Sequence, residues 1–161
     1  MKVHAIIDEH YSDYKKPSMM IGVAYCGGKC CTEAGLPLSH CHNDEWRHRD
    51  PKNVNDDEIC VGYMNNPITQ AIVFGGLEPL EQQDEVLSLV SMFRNKYGCD
   101  DDIVIYTGYT EIEASKFVKK ISEFKNIIMK FGRYVPSQTQ HYDETLGVYL
   151  ASDNQYAKVV S

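Results

Sequence analysis

The chain has 161 residues, the length of a single domain. Its 16 Lys and Arg residues against 23 Asp and Glu residues give a net charge of −7, which argues against a nucleic-acid partner held mainly through its phosphates. No run approaches the ~18 apolar residues of a membrane span, and the charged first residues lack the apolar stretch of a secretion signal. We therefore expect one cytoplasmic domain, residues 1–161, without a membrane or nucleic-acid partner.

The first half of the chain contains one predicted strand, one long loop and one helix. A short, mostly apolar run at 19–25 predicts a buried strand. Residues 26–55 are rich in Gly, Pro, His, Asn and Asp and predict a loop, and loops longer than ~12–15 residues are usually functional or disordered. Asn55 and Glu58 have the spacing of a helix N-terminal cap, which predicts a short helix ending near the breaker at 65–67.

The second half alternates strands and helices. Short apolar runs predict strands, and apolar residues at spacings of three and four predict helices. The predicted elements are strands at 70–74, 103–106 and 126–131, and helices at 80–97 and from 110 to about 124. Gly98 stands at the C-cap position of the first helix, and Thr110 with Glu113 forms the capping box of the second. The tail, 133–161, shows no regular pattern.

The order of elements is strand, loop, helix, strand, helix, strand, helix, strand. This alternation predicts an α/β fold with a parallel sheet and right-handed crossovers. In such sheets ligands bind at the carboxyl ends of the strands. The Cys-rich loop, residues 75–79 and residues 107–109 follow the first three strands, so we expect them at one edge of the sheet.

Four of the six cysteines lie within sixteen residues, at Cys26, Cys30, Cys31 and Cys41. In a reducing compartment, such a cluster indicates metal binding or catalysis rather than disulfides. The isolated Cys60 and Cys99 are expected to be small buried hydrophobic residues.

Two kinds of metal site fit this loop. A structural zinc ion would take four ligands, either the four thiolates or a set that includes His40 or His42. Cys30 and Cys31 fit such a site awkwardly, because the side chains of neighbouring residues point apart. An iron–sulfur cluster held by three thiolates would instead leave one iron open to a substrate or cofactor.

Four further segments form a pattern when they are taken in order with the cysteines. They are Cys41-His42-Asn43 with Trp46, the glycine turn Phe74-Gly75-Gly76-Leu77-Glu78-Pro79-Leu80, the strand end Ile105-Tyr106-Thr107-Gly108-Tyr109, and the C-terminal segment 150–155. Together they resemble the radical S-adenosylmethionine enzymes, and most closely the small activating proteins of anaerobic ribonucleotide reductase. The resemblance runs from about residue 18 to the end of the chain.

The chain departs from the family pattern in three places. Ten residues separate Cys30 from Cys41, where the family usually has two, and His40 stands where an aromatic residue is common. Leu77 replaces a glycine of the glycine turn. A leucine keeps its N–H and C=O groups, so this change is tolerable where its backbone torsions are allowed.

The resemblance implies a small, incomplete (βα) barrel with parallel strands and a cluster-binding loop at about 26–43. It implies a 4Fe-4S cluster held by Cys26, Cys30 and Cys41, with Cys31 as the alternative to Cys30. It further implies that S-adenosylmethionine binds at Gly75, Gly76, Leu77, Glu78, Thr107 and His42. The glycine turn would present backbone groups to the amino group, and Thr107 would approach the ribose. No side chain is assigned as catalytic.

The activity implied by the resemblance is reductive cleavage of S-adenosylmethionine, followed by removal of a hydrogen atom from one glycine of a partner protein. That partner would be the large subunit of an anaerobic ribonucleotide reductase, and the electron donor a protein such as flavodoxin. Two alternatives stay open. One is activation of another glycyl-radical enzyme or a small-molecule reaction, and the other is a zinc or iron–sulfur binding module without turnover.

Overall fold

Nine strands form one large sheet and one small hairpin in the computed structural model, which describes residues 1–161. In chain order the strands are β1 (Lys2–His10), β2 (Ser18–Val23), β3 (Lys52–Asn53), β4 (Ala71–Gly75), β5 (Asp102–Tyr106), β6 (Ile127–Phe131), β7 (His141–Asp143), β8 (Val148–Leu150) and β9 (Tyr156–Val159). The large sheet has the order β3-β1-β2-β4-β5-β6-β9, and β7 pairs with β8. The four central strands run parallel, whereas β1, β3 and β9 extend the sheet through antiparallel pairs.

Five α-helices lie between the strands. They are α1 (Lys29–Glu33), α2 (Asp44–Arg47), α3 (Asp56–Asn65), α4 (Gln83–Ser91) and α5 (Glu111–Ile121). Two 3₁₀ turns, Leu38–His40 and Pro79–Gln82, precede α2 and α4, and a π-helical segment, Met92–Lys96, continues α4. None of the helices combines the length and the apolar character that crossing a membrane would need.

The helix ends follow the predicted capping chemistry. The side chain of Asn55 accepts a hydrogen bond from the backbone N–H of Asp57 at 2.8 Å, which caps α3. Thr110 and Glu113 form both bonds of the capping box at the start of α5. Gly98 follows the π-helical segment with a φ of +62°, a left-handed conformation that glycine adopts without steric cost.

The central strands are buried on both faces of the sheet. Along β4, Ile72 and Phe74 face a core shared with α3, α4 and α5, and Ala71 and Val73 face a smaller core. That smaller core is completed by Tyr14, Leu146 and Leu150, from the segment before β2 and from the β7–β8 hairpin. Strands covered on both faces have near-continuous apolar sequences, which is why these four strands were predictable. Cys60 and Cys99 lie in the larger core, as predicted.

Three segments differ from the prediction. The first seventeen residues, for which no element was predicted, contain the nine-residue strand β1, whose residues are mostly half-buried or exposed. The predicted loop at 26–55 contains α1, α2, β3 and a 3₁₀ turn. The tail contains the hairpin and β9. The α/β class with a parallel centre is confirmed, but the sheet as a whole is mixed.

Candidate functional site

A cavity of about 220 Å³ lies at the carboxyl ends of the four parallel strands. This volume is several times the ~30 Å³ share of one water molecule in the liquid, so the cavity has room for a group of several atoms. Its wall includes all four clustered cysteines, Cys26, Cys30, Cys31 and Cys41. It also includes the predicted cofactor-binding residues His42, Gly76, Leu77, Glu78 and Thr107. Of the predicted site residues only Gly75 lies outside this wall, in the lining of a neighbouring cavity.

The backbone around α1 brings three of the cysteines to this cavity. Cys26 follows β2, and Cys30 and Cys31 lie on α1, which begins after Gly28. Gly28 has a φ of +73°, and its carbonyl accepts hydrogen bonds from the N–H groups of Cys31 and Thr32 at 3.0 and 3.1 Å. The turn between Cys26 and α1 thus requires a left-handed residue, which glycine provides without strain.

All six cysteines are free thiols. Burial raises the pKa of Cys26 to about 11, and burial likewise raises the pKa values of Cys30 and Cys31. These thiols are therefore protonated near neutral pH in the free protein, and a metal would have to displace their protons on binding. The side chains do not form a ready-made site for a single ion, because no three His, Cys, Asp or Glu residues are arranged to hold one.

The segment after Cys41 is fixed to the glycine turn by two contacts. The side-chain amide of Asn43 donates a hydrogen bond to the carbonyl of Gly76 at 2.5 Å. The indole of Trp46 packs directly over Gly76 and Gly22, where a Cβ atom would come within 2.1 and 2.3 Å of the ring. The two glycines therefore admit the indole, and the indole holds the segment beside the end of β4.

Glu78 joins the ends of β4 and β5. Its carboxylate accepts hydrogen bonds from the hydroxyl of Thr107 at 2.7 Å, from the N–H of Gly108 at 2.8 Å and from the N–H of Leu80 at 3.0 Å. Burial raises the pKa of Glu78, and the three hydrogen bonds oppose that effect. The Thr107 hydroxyl also accepts a bond from the N–H of Tyr109 at 3.0 Å. Both side chains thus have protein partners that position the strand ends.

The remaining predicted residues differ in exposure. Leu77 is buried, packs against the larger core and is not among the residues with positive φ, so its backbone meets the condition for replacing a glycine. His42 is exposed at the rim of the cavity, where its ring meets that of Tyr134 edge to face at 5.0 Å. The assignment of these residues to a cofactor stays a prediction.

Lys130 lies in the cavity wall and escaped the sequence analysis. It is buried in β6, and its ammonium donates a hydrogen bond to the carbonyl of Gly132 at 2.8 Å. Burial lowers the pKa of Lys130 to about 8. An ammonium has three donors, so two are left for a ligand. A single lysine in an otherwise apolar strand was the signal in the sequence, because buried lysines are rare.

The C-terminal segment closes another side of the cavity. The side-chain amide of Gln155 donates to the carbonyl of Gly132 at 3.2 Å, and its oxygen accepts from the N–H groups of Ala151 and Ser152. The amide of Asn154 donates to the carbonyl of Arg133 at 2.9 Å. These bonds join the segment to the chain that leaves β6.

An ion-pair network attaches α1 to the start of α5. The carboxylate of Glu113 accepts hydrogen bonds from Lys29 and from Arg133, and Arg133 also pairs with Glu33. The hydrogen bond from Arg133 contributes most to holding the pKa of Glu113 well below its usual range. Both cations lie over the ring of Tyr109. The network fixes α1, which carries Cys30 and Cys31, against the start of α5.

The site has the donors and the space that an iron–sulfur cluster needs. Thiolates are the soft ligands that select such clusters, although they also bind zinc. The family model described as "4Fe-4S single cluster domain" matches residues 18–156, from the first residue of β2 to the first residue of β9. No curated protein and no solved structure matches the chain.

Proposed function

The chain belongs to the 4Fe-4S single cluster domain family, and from this premise we propose that it is a radical S-adenosylmethionine activase. Its product would be a glycyl radical on the large subunit of an anaerobic ribonucleotide reductase. One observation carries the proposal: the cysteine loop, the glycine turn and the Thr107–Gly108 strand end all line one cavity at the carboxyl edge of parallel strands. A cluster-binding module alone would need the cysteines but not the other two segments.

In the proposal, Cys26, Cys30 and Cys41 hold the cluster through three thiolates. The preference for Cys30 over Cys31 is supported by the position of its sulfur. A Cβ atom on Gly108 would lie 2.6 Å from the Cys30 sulfur, so this thiol reaches the end of β5. Cys31 is buried, and its thiol interacts electrostatically with that of Cys41, so it remains the alternative second ligand.

The other residues of the cavity would bind and orient S-adenosylmethionine. The backbone groups of Gly76 and Leu77, which line the cavity, would meet its amino group. The two free donors of Lys130 would meet its carboxylate, because a buried ammonium favours an anionic partner. His42 would stand at the open rim. When bound, the cluster would supply the electron that breaks a carbon–sulfur bond of the sulfonium. Glu78 would keep the strand ends, and hence these groups, in place.

The cavity would have to remain accessible to a glycine of the partner protein on a flexible segment. We take the parallel centre of the sheet as an incomplete (βα) barrel that is open on that side. The electron would come from a donor such as flavodoxin in the cytoplasm. Neither a nucleic acid nor a membrane takes part in this scheme.

The first test is anaerobic reconstitution followed by iron, sulfide and zinc analysis. We expect a cluster with four irons and production of 5′-deoxyadenosine after addition of a reductant and S-adenosylmethionine. Cys26→Ala and Cys41→Ala should abolish both, whereas the buried Cys60→Ala and Cys99→Ala are the matched controls and should retain both. Zinc in place of iron, or a full cluster without cleavage of S-adenosylmethionine, would overturn the activase.

The second test identifies the partner. A glycyl-radical signal in electron paramagnetic resonance should appear only when the large subunit of an anaerobic ribonucleotide reductase is added. A signal with a different glycyl-radical enzyme, and none with the reductase, would assign the activity to that other class.

A further inference from the structure

Arg47 is the one arginine of the chain whose guanidinium has no partner. The chain has four arginines, and Arg49, Arg94 and Arg133 each bond to a carboxylate or to backbone carbonyls. The Nη1 atom of Arg47 is buried and makes no hydrogen bond, and the side chain is in no ion pair. The nearby carboxylate of Asp44 is instead within 3.4 Å of His48.

The guanidinium of Arg47 points toward the turn that carries the clustered cysteines. A Cβ atom on Gly28 would lie 2.6 Å from Nη1. Arg47 and Cys26 line a common cavity on the outer side of this turn. Lys130, by contrast, lines the main cavity together with Cys30 and does not line this outer one.

A guanidinium remains charged at any pH that the protein tolerates. Arg47 is half-buried, but its Nη1 is fully buried without an acceptor, and this favours an anionic acceptor at the cysteine turn. Asp44 lines the same outer cavity, but its carboxylate pairs with His48 and forms no ion pair with Arg47. Cysteine thiolates that hold a cluster are anionic, and they would form beside Nη1 only when the metal is bound.

We infer that Arg47 is the counter-cation of the iron–sulfur cluster and sets its reduction potential. This inference rests on the cluster in the proposed function. Reduction adds one negative charge to the cluster, and a fixed positive charge beside it stabilises the reduced form more than the oxidised form. Arg47 therefore acts on the cluster through its charge and does not contact the substrate.

The test is an anaerobic redox titration of the reconstituted protein, monitored by electron paramagnetic resonance with dithionite and mediator dyes. Arg47→Gln should lower the midpoint potential, such that the ratio of reduced to oxidised cluster at a fixed potential falls about tenfold, which is ~59 mV for one electron. Arg47→Lys keeps the charge and should stay close to the wild type. Arg49→Gln, two residues away and exposed, is the matched control and should leave the potential unchanged.

Each outcome is informative. Equal potentials in Arg47→Gln and Arg49→Gln would overturn the inference while leaving the cluster and the activase in place. Loss of the cluster from Arg47→Gln but not from Arg47→Lys supports it, provided that the circular dichroism of the cluster-free variant is native. An unfolded Arg47→Gln variant, or cluster loss in both variants, would make the role structural and overturn it. A wild-type protein that binds no iron would overturn both proposals. If Arg47→Gln shows the predicted shift in midpoint potential but the wild type does not cleave S-adenosylmethionine, only the activase proposal is overturned.

Discussion

Alanine at Gly22 or Gly76 tests whether Trp46 docks the cysteine loop onto the ends of β2 and β4. A Cβ atom at Gly22 would lie 2.3 Å from Cζ3 of the indole, and one at Gly76 would lie 2.1 Å from the same atom. Both distances are far inside van der Waals contact, so the ring must move or leave its site. Overpacking costs about 1–3 kcal/mol, and we expect Gly22→Ala to lower the free energy of unfolding by this amount.

Gly76→Ala should cost more than Gly22→Ala. Gly76 has a φ of +81°, and an L-residue in the left-handed region carries a further cost of about 1–2 kcal/mol. The sum is about 2–5 kcal/mol, against a total stability of about 5–15 kcal/mol for a typical domain. Gly35 separates the two effects, because it has a φ of +67° and no atom within 4 Å of its Cβ position. Gly35→Ala should show the left-handed cost alone.

The assay is urea denaturation of the metal-free protein, followed by fluorescence. Trp46 is the only tryptophan of the chain, so its emission reports directly on the docked indole. Both Gly22→Ala and Gly76→Ala should shift the native emission toward that of an exposed indole. Gly35→Ala should leave the emission unchanged.

A double-mutant cycle with Trp46→Ala supplies the decisive comparison. Without the indole, Gly22→Ala has no ring to displace, and replacing a strand glycine should then be neutral or stabilising by about 0.5–1 kcal/mol. Gly76→Ala should retain about 1–2 kcal/mol of its cost, because its backbone strain does not depend on Trp46. An equal cost of Gly22→Ala in both backgrounds would show that the indole is not what fills the space, and the docking argument would be wrong.

Three further predictions concern the cysteines and the charged residues around them. Cys30→Ala should lose its iron and Cys31→Ala should keep it, and iron analysis after reconstitution with the opposite result would make Cys31 the ligand. The pKa of Lys130 is lowered from its ordinary value of 10.5 to about 8. Between these pH values the unfolded chain binds more protons than the folded one, so the free energy of unfolding should rise with pH across this window by about 3 kcal/mol. Urea denaturation from pH 7 to 10.5 should show this rise relative to Lys130→Met, and a constant difference between the two proteins would contradict it. Glu113 has a pKa below its ordinary value of 4.5, chiefly through Arg133, so its contribution is complete above that value and is lost as the pH falls below it. Because the pair is partly exposed, Glu113→Gln should cost about 1 kcal/mol at pH 7, and an unchanged acid-denaturation curve would refute this.

The central strands and the long helices could be predicted because their determinants are local. A run such as Ile72–Phe74 is apolar throughout because both faces of the sheet are covered. The box formed by Thr110 and Glu113 fixes the start of α5 within four residues of sequence. Gly98 marks the end of the preceding helix for the same reason, since only a left-handed residue completes that turn.

The elements that escaped prediction depend on contacts distant in sequence. Strand β1 has charged and half-exposed residues, and it exists because it pairs with β2 on one side and β3 on the other. Helices α1 and α2 have only five and four residues, and helices this short are unstable in isolation. They are held by Lys29 through Glu113 and by Trp46 through two glycines. Their partners, Glu113, Gly22 and Gly76, lie at least twenty-four residues away in the sequence, beyond any local pattern.

The sequence brought together part of the cavity wall but not its buried charges. The predicted site residues account for nine of the nineteen residues that line the cavity, and their role in binding a cofactor stays a prediction. Lys130 was not identified, although a lone lysine in an apolar strand signals a buried charge. Arg47 was not identified because nothing in the local sequence indicates that the fold leaves its Nη1 buried without a partner.

The ten residues between Cys30 and Cys41 leave both thiols in the wall of one cavity. The N–H of Leu36 donates to the carbonyl of Cys31 at 2.9 Å, and Gly35, with its positive φ, reverses the chain just after α1 ends. The 3₁₀ turn then returns it, and the N–H of Cys41 donates to the carbonyl of Leu38 at 3.0 Å. Lengthening the segment between two ligands adds little closure entropy, since the cost of a loop grows only with the logarithm of its length. The wide spacing is therefore compatible with one shared cavity. Cys41 is positioned by the contacts of Asn43 and Trp46 with the glycine turn, and not by the length of the loop.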